Sequence, residues 1–326
     1  MSIRLNEFNV SFACHNMIIS CSRRTDIPAF YSDWFFNRIS AGYALVQNPL
    51  NSNQLSRVSL HPAAVDCIVL WTKNPEPLLG RLSQLQDYNY YFQFTLTPYG
   101  QDIEPHLPPK DRIVDTFLKL TDKIGRKRII WRYDPILLSP CMDTEYHLEE
   151  FARLARRLSG YTEKCIVSFV DMYRHLQGKI AGLAIRPPGE VEIRKLAAGI
   201  ARIANANDIK VETCAEEADL AAYGIQHGKC IDDLLIEEIT GRKLKIKKDK
   251  RQRELCGCVT SVDIGQYNTC GHLCIYCYAN LSRKTAHKNI SLHNDKSPLL
   301  IGEPSEKQKI SNRRGVAQMI SIEAAI

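Results

Sequence analysis

The sequence of 326 residues contains no uninterrupted apolar run long enough to cross a bilayer, so we expect no membrane-spanning helix. Its first residues, MSIRLNEFNVSFACHN, lack the compact apolar stretch and the small-residue cleavage site of a secretory signal. Internal repeats and low-complexity segments are also missing from the sequence. These absences predict a cytoplasmic globular protein without membrane contact. Met17 begins the first strand-like run, so translation could begin at Met1 or at Met17.

The sequence has little that resembles a nucleic-acid-binding module. Its net charge is +7, and much of this charge comes from GRKLKIKKDKRQRE, residues 241–254. Such a run is typical of a solvated connector or of a surface for an anionic partner. The run lacks interleaved aromatic residues, which binding to single-stranded nucleic acid favours. Nucleic-acid binding without catalysis, by a protein that contains zinc or a cluster, is therefore only the alternative to an enzyme.

Cysteine, in contrast, is abundant, with twelve residues in the chain. A cytosolic protein of this length does not need a disulfide scaffold, because thiols in that compartment are kept reduced. Metal binding is then the leading explanation for those cysteines that are clustered in the sequence.

Short β-rich runs alternate with helical patterns along the chain, which predicts a parallel sheet with helical crossovers. The predicted strands are 17–22, 67–72, 90–96, 128–133, 165–170, 209–214 and 259–264. The predicted helices are 111–124, 143–158 and 190–205, the last with Val191 and Leu196 on its apolar face. Residues 43–49 and 55–60 read as a hairpin, because the segment between them is turn-rich. This order favours an α/β fold of the TIM-barrel type, as a full or a partial parallel barrel.

The predicted organisation has four parts, which follow from these elements and from the charge and cysteine patterns. They are an N-terminal extension (1–16), the α/β barrel body (17–254), a cysteine-rich segment that completes the barrel (255–302) and a C-terminal tail (303–326) from which no function can be read.

Polar residues follow the predicted strands, where the active sites of parallel barrels lie. Carboxylates in such positions are often helix caps, but Arg and Lys cannot cap a helix N-terminus and instead indicate an anionic ligand. A metal-dependent hydrolase would need histidine ligands at these ends, and no histidine clearly occupies one. The residues are Arg23, Arg24, Asp26, Lys73, Asn74, Arg132, Asp134, Asp171 and Glu216.

Three cysteines near the end of the chain, in CGHLCIYCYAN (270–280), have the spacing C-x3-C-x2-C. Thiolates at this spacing suit an iron–sulfur cluster or zinc. A structural zinc site needs a fourth protein ligand, for which His272 or a distant cysteine is the alternative. With three ligands only, a four-iron cluster keeps one iron open to another molecule.

Cys270, Cys274 and Cys277, with Tyr276 before the third, resemble the motif of radical S-adenosylmethionine enzymes. The resemblance implies that these cysteines hold a [4Fe–4S] cluster whose open iron chelates S-adenosylmethionine, and that Tyr276 packs near the adenine. The reduced cluster would cleave the sulfonium to give a 5′-deoxyadenosyl radical, with an electron donor such as flavodoxin or ferredoxin. Carboxylate or phosphate groups would then be bound by Arg23, Arg24, Lys73 and Arg132, and Asn74 would lie beside the cofactor. Ribose, amine or substrate groups would be contacted by Asp26, Asp134, Asp171 and Glu216. The substrate itself is unknown, and an anionic one would suit these cations.

The chain from Met17 to about Gly302 also resembles the bacterial family catalogued as domain of unknown function 1848. The stretches that carry this resemblance are SRRTDIPAFYSDWFFNRI, WTKNPEPLL, YFQFTLTPYG, WRYDPILL, ETCAEE, YNTCGHLCIYCYAN and SPLLIG. That family is defined by a C-terminal cysteine cluster and not by a known reaction, so the resemblance implies the cluster more than any substrate.

Four further cysteines, Cys214, Cys230, Cys256 and Cys258, are candidates for a second iron–sulfur cluster. A C-x-C pair is compatible with a cluster completed by distant cysteines. The alternative is that Cys214 and Cys230 are small buried residues of the core, as free cysteines commonly are.

The position of the three-cysteine loop is unusual, because in radical S-adenosylmethionine enzymes this loop follows the first barrel strand. Here the equivalent strand, VTSVDIG (259–265), is the last one. First and last strands of a barrel can be neighbours, so moving the chain ends can preserve the architecture. The sequence therefore predicts a circularly permuted barrel in which 259–265 lies beside the strand at 17–22.

Overall fold

A computed structural model describes residues 16–313, 315 and 318–320. The predicted N-terminal extension lies outside these residues except for Asn16. The strands are β1 (Met17–Cys21), β2 (Tyr43–Asn48), β3 (Asn51–Ser59), β4 (Val65–Thr72), β5 (Tyr90–Thr95), β6 (Ile129–Ile136), β7 (Lys164–Phe169), β8 (Lys210–Thr213), β9 (Gln226–His227), β10 (Lys243–Lys245), β11 (Val262–Asp263), β12 (Lys309–Asn312) and β13 (Gln318–Ile320). The helices are α1 (Ile27–Phe30), α2 (Ser32–Ala41), α3 (Lys110–Ile124), α4 (Thr144–Leu158), α5 (Gln177–Ile180), α6 (Glu190–Asn205), α7 (Asp233–Thr240) and α8 (Arg283–Ser291).

The main sheet has eight strands in the order β11-β1-β4-β5-β6-β7-β8-β9. Every neighbouring pair in it is parallel. The predicted parallel α/β sheet is thus confirmed, and its order matches a partial barrel of the TIM type. Among the described residues, β9 and β11 do not pair with each other, so the sheet is open.

The last strand of this sheet in the sequence, β11, lies beside the first, β1. Ile19 is opposite Val262 and Ser20 is opposite Asp263 in the parallel register. The predicted neighbour relation between these two strands is therefore confirmed. Since all carboxyl ends of a parallel sheet point the same way, the loop after β11 emerges at the edge where the loops after β1 and β4 emerge.

One face of the sheet, here called the helix face, packs against α2, α3, α4 and α6. Each strand is short and rich in β-branched and aromatic residues, and the helices present apolar stripes to it. In α6 the buried stripe consists of Leu196, Ala197, Ile200 and Ala204. Val191 was expected on this stripe, but its side chain is 80% exposed. The expectation was wrong because Val191 lies five residues before Leu196, which rotates it by about 140° around the helix.

The opposite face, here called the inner face, is covered by the segment between β9 and β11. Strand residues such as Ile18, Val69 and Ile130 form one buried cluster with Ile231 and Val259 of that segment. Five cysteines take part in or pack against the same cluster, namely Cys67, Cys214, Cys230, Cys256 and Cys258. The segment therefore fills the space that a closed barrel would fill with strand side chains.

Two smaller sheets flank the main one. The predicted hairpin is confirmed as β2 and β3, which pair antiparallel, and β12 adds to β3 in parallel. Strand β13 pairs antiparallel with β10. The tail beyond residue 302, from which the sequence predicted nothing, thus supplies two strands.

None of the helices in the described ranges is long and apolar enough to span a bilayer.

Two substitutions in α6 test this packing. Leu196→Ala removes a side chain with no exposed surface, so we expect the free energy of unfolding to fall by about 2–5 kcal/mol. Val191→Ala removes an exposed side chain and should change that free energy by less than about 0.5 kcal/mol. Urea unfolding followed by circular dichroism measures both. Equal losses for the two variants would contradict the orientation of α6.

Candidate functional site

The three-cysteine loop lies at the carboxyl edge of the main sheet and is held there by hydrogen bonds to its backbone. The Tyr31 hydroxyl donates to the carbonyl of Thr269 at 2.5 Å, and Asn280 Nδ2 donates to the carbonyl of Cys270 at 2.7 Å. At Gly271 a Cβ would come within 2.7 Å of the Phe30 ring, so glycine permits the close approach of α1.

Asp26 connects this loop to two strand ends. Its Oδ1 accepts from the backbone N–H of Ala29 at 3.0 Å and so caps α1. Its Oδ2 accepts from the backbone N–H of Lys73 at 2.6 Å and lies 2.8 Å from Nε2 of His272. The side chain is only 6% exposed. One buried carboxylate therefore fixes the ends of β1 and β4 and the cysteine loop relative to each other.

Asp263, at the end of β11, joins that strand to the turn after β1. It accepts from the hydroxyls of Ser20 at 2.8 Å and Ser22 at 2.6 Å, and from the backbone N–H of Arg23 at 2.8 Å. At Gly265 a Cβ would come within 2.0 Å of the Ser22 hydroxyl, so no larger residue fits this turn. Asp263 was not among the predicted site residues. Its position near the end of VTSVDIG, a predicted strand, was the signal that could have found it.

The thiols of Cys270, Cys274 and Cys277 lie close enough to influence one another's ionisation. Burial, followed by the charge of Cys277, raises the pKa of Cys270 to about 12. Burial also raises the pKa of Cys274 well above its usual value, against the effect of Lys73. Both thiols therefore favour their protonated form, and a positively charged centre bound at the loop would favour their thiolates.

The residues present fit a cluster better than a lone ion. In the part of the chain that the structure describes, no group of three or more His, Cys, Asp or Glu side chains is arranged to hold a metal ion. A four-iron cluster binds each thiolate through a different iron, so its ligands surround a larger space. The ring of His272, named above as a possible fourth zinc ligand, has its Nε2 bonded to Asp26, and its buried Nδ1 has no hydrogen-bond partner among the described residues.

A charge cluster lies beside Cys274, and the buried carboxylate of Glu104 is at its centre. Glu104 was not among the predicted site residues. Lys73 Nζ pairs with Glu104 at 2.7 Å, and Lys110 and the hydroxyl of Tyr276 donate to the same carboxylate. Burial alone would raise the pKa of Glu104, but the two lysines outweigh it and lower the pKa to about 2. Lys73 Nζ also lies 5.5 Å from the centre of the Tyr276 ring. Glu104 follows no strand and belongs to no motif, so the sequence offered no signal for it.

Arg132 and Asp134 form a second buried pair at the end of β6. Arg132 Nε donates to Asp134 Oδ2 at 3.1 Å, and Nη1 donates to Gln93 at 3.2 Å and to the sulfur of Cys230 at 2.8 Å. The Ser168 hydroxyl donates to the other oxygen of Asp134. Both predicted residues therefore lie at the sheet edge, where their polar atoms bind each other and a cysteine.

The predicted residues after β1 and β4 have different surroundings. Arg23 is mostly buried and its Nη2 donates to the Ser261 hydroxyl at 3.1 Å. The guanidinium of Arg24 lies 5.1 Å from the centre of the Tyr267 ring. Asn74 accepts from the backbone N–H of Glu76 at 3.4 Å and so shapes the turn after β4.

Glu216 and Asp171 lie farther along the same edge. Glu216 Oε1 accepts from the backbone N–H of Phe169 at 2.9 Å, and burial raises its pKa to about 7. Asp171 is exposed and pairs with Arg253 at 2.5 Å. Asp171 thus holds part of the basic segment 241–254 against the sheet edge.

Other charges of that basic segment also bind groups of this chain. Lys243 pairs with Glu237 at 2.8 Å, and Lys248 Nζ donates to the carbonyl of Glu254 at 2.6 Å. These contacts favour the interpretation of the segment as a connector.

The four further cysteines come together between the inner face and the carboxyl edge. The sulfurs of Cys214 and Cys230 are 3.2 Å apart, and Cys256 and Cys258 lie with Cys230 in one buried cluster, against which Cys214 packs. The neighbouring thiol of Cys258 lowers the pKa of Cys256 to about 7. Residues separated by 44 positions in the sequence thus form one group of sulfurs.

Comparison with known proteins gives a family and no named activity. A search of curated proteins found no match. The family model described as domain of unknown function (DUF1848) matches residues 18–279, which include both cysteine groups and every strand of the main sheet. The chain therefore belongs to the DUF1848 family.

Proposed function

We propose that this protein is a cytoplasmic radical S-adenosylmethionine-like enzyme. Cys270, Cys274 and Cys277 would hold a [4Fe–4S] cluster with one open iron, and the carboxyl edge of the sheet would bind S-adenosylmethionine and a substrate. The observation that carries the proposal is the meeting of these three thiols, of which Cys274 is buried and Cys270 and Cys277 are half-buried, with the polar residues after β1, β4 and β6 at one edge. When bound, the cluster supplies the electron that cleaves the sulfonium of S-adenosylmethionine to methionine and a 5′-deoxyadenosyl radical, which abstracts hydrogen from the substrate.

The charges beside the loop support this assignment. Lys73 and Lys110 share the single carboxylate of Glu104, so the group carries one excess positive charge next to Cys274. Three thiolates around a [4Fe–4S] core in its oxidised, doubly positive form carry one net negative charge. The buried lysines therefore offset the charge of the occupied site, which lowers the cost of burying it.

The protein's own residues would position the reactants. Lys73 lies beside Cys274 and Tyr276, which suits it to bind the carboxylate of S-adenosylmethionine. Tyr276, whose ring also packs against Tyr99 at 6.0 Å between centres, supplies an aromatic face for adenine. Arg23, Asp26, Arg132, Asp134 and Glu216 line or support the same edge.

The sheet order supports a circularly permuted barrel of the radical S-adenosylmethionine type. Strand β11 would be the counterpart of the first strand in those enzymes, and β1 the counterpart of the second. Their parallel pairing and the loop after β11 have the relation that this permutation requires.

Two expectations about partners go with the proposal. The substrate is anionic, because several buried or half-buried cations lie at the edge. The electron comes from a small donor of the flavodoxin or ferredoxin kind.

Product formation tests the proposal. The protein is reconstituted with iron and sulfide under anaerobic conditions, reduced with dithionite and given S-adenosylmethionine, and 5′-deoxyadenosine is measured by liquid chromatography. We expect product from the parent and from Cys141→Ala, which alters an exposed thiol. Cys274→Ala should lose at least about 90% of the product, because it removes a cluster ligand. Equal iron content and equal product in parent and Cys274→Ala would refute the assignment.

A second substitution tests the role of Lys73. Lys73→Met should raise the dissociation constant for S-adenosylmethionine about tenfold or more, because it removes a charged hydrogen-bond donor. Equilibrium dialysis with the reconstituted protein measures the constant. The control is Lys119→Met, which alters an exposed lysine of α3. If both variants bind S-adenosylmethionine like the parent, Lys73 does not contact it.

A further inference from the structure

We propose that Cys214, Cys230, Cys256 and Cys258 bind a second metal centre through four thiolates. The class of ligand is a thiophilic metal, as a zinc ion or an iron–sulfur cluster. This inference does not depend on radical chemistry at the three-cysteine loop, because it follows from a separate set of sulfurs.

The first observation is that four thiols lie in one connected group. The sulfurs of Cys214 and Cys230 are 3.2 Å apart, and Cys256 and Cys258 lie with Cys230 in one buried cluster, near enough to affect each other's ionisation. Two thiolates on one tetrahedral zinc ion, each at about 2.3 Å from it, lie about 3.8 Å apart. The four side chains are not arranged around a single ion as they stand, so binding requires them to rotate toward a common centre. Four sulfurs also satisfy a zinc ion or a cluster completely, unlike the three in the loop.

The second observation is that the sulfurs of Cys230 and Cys258 accept hydrogen bonds from N–H groups. Arg132 Nη1 lies 2.8 Å from the sulfur of Cys230, and the backbone N–H of Ile231 donates to the sulfur of Cys258 at 3.3 Å. The carbonyl of Cys230 in turn accepts from the Tyr91 hydroxyl at 2.7 Å and from Gln93 Nε2 at 2.9 Å. Such donors stabilise metal-bound thiolates and orient the ligands, and a packing cysteine has no need of them.

The third observation concerns the segments that meet here. Cys214 follows β8, Cys230 follows β9, and Cys256 and Cys258 precede β11. A metal bound to all four would clamp the segment on the inner face to the end of β8. Because that segment leads directly into β11, the clamp would also stabilise the strand that delivers the three-cysteine loop.

A disulfide is the main rival use of these thiols. All described cysteines are free, and a bond between Cys214 and Cys230 would leave the C-x-C pair without a purpose. The four thiols lie in or against one buried cluster, which favours a ligand common to them.

Metal analysis of a variant that lacks the first site tests the inference. In the full chain carrying Cys270→Ala, Cys274→Ala and Cys277→Ala, zinc, iron and acid-labile sulfide are measured after anaerobic purification, and again after supply of zinc chloride or of ferrous iron with sulfide. We expect about one zinc ion, or one iron–sulfur cluster, per chain. Adding Cys230→Ala should reduce this content tenfold or more, whereas adding Cys165→Ala, a buried thiol outside the group, should not.

Two further measurements keep the inference testable if the Cys230 variant fails to fold. X-ray absorption at the zinc or iron edge of the triple variant should show four sulfur neighbours at about 2.3 Å. Removing the metal from the triple variant with a chelator should lower its apparent unfolding temperature by about 5 °C or more. Absence of metal from the triple variant, nitrogen or oxygen neighbours in place of sulfur, or a Cys214–Cys230 disulfide in the anaerobic protein would overturn the inference. Loss of 5′-deoxyadenosine formation alone would bear on the proposed function and not on this centre.

Discussion

The buried carboxylate of Asp26 is the interaction on which the candidate site depends. It accepts hydrogen bonds from the start of α1, from the backbone after β4 and from His272 inside the cysteine loop. An unpaired buried carboxylate would be costly, so these donors stabilise one arrangement of the three loops. Asp263 performs the same task between β11 and β1. Two carboxylates thus hold a late part of the chain against an early one, and the three thiols are brought to the sheet edge as a result.

Much of the fold could be predicted because its signals are local. Apolar runs of six or seven residues marked every strand of the main sheet except the two-residue β9, and periodic apolar residues marked α3, α4 and α6. The pairing of β11 with β1 was also predictable, because a barrel order makes the chain ends neighbours. The strands of the tail were not predictable, since β12 and β13 are short and exist by pairing with β3 and β10. Val191 was wrongly placed on the apolar stripe, because its five-residue separation from Leu196 does not match the helical period.

Prediction of the site succeeded where residue type and spacing carry chemistry. The spacing of Cys270, Cys274 and Cys277 indicated a shared site, and the cations after the strands indicated its edge. Glu104 was missed because a lone glutamate in a loop has no pattern, and its importance arises from Lys73 and Lys110 around it. The group formed by Cys214, Cys230, Cys256 and Cys258 was predictable only as a possibility, because its members come from three segments whose meeting depends on the fold.

The central claim is that the three-cysteine loop holds a four-iron cluster with one iron open to S-adenosylmethionine. Mössbauer spectroscopy of the protein carrying both Cys230→Ala and Cys258→Ala, reconstituted with ⁵⁷Fe and measured before and after addition of S-adenosylmethionine, tests it most directly, because the second cysteine group then keeps only two thiols and only the three-cysteine loop can supply three ligands. The account predicts that about a quarter of the iron signal, from the single open iron, shifts when S-adenosylmethionine is added. A spectrum without a four-iron cluster, or a cluster whose irons all stay unchanged, would contradict it.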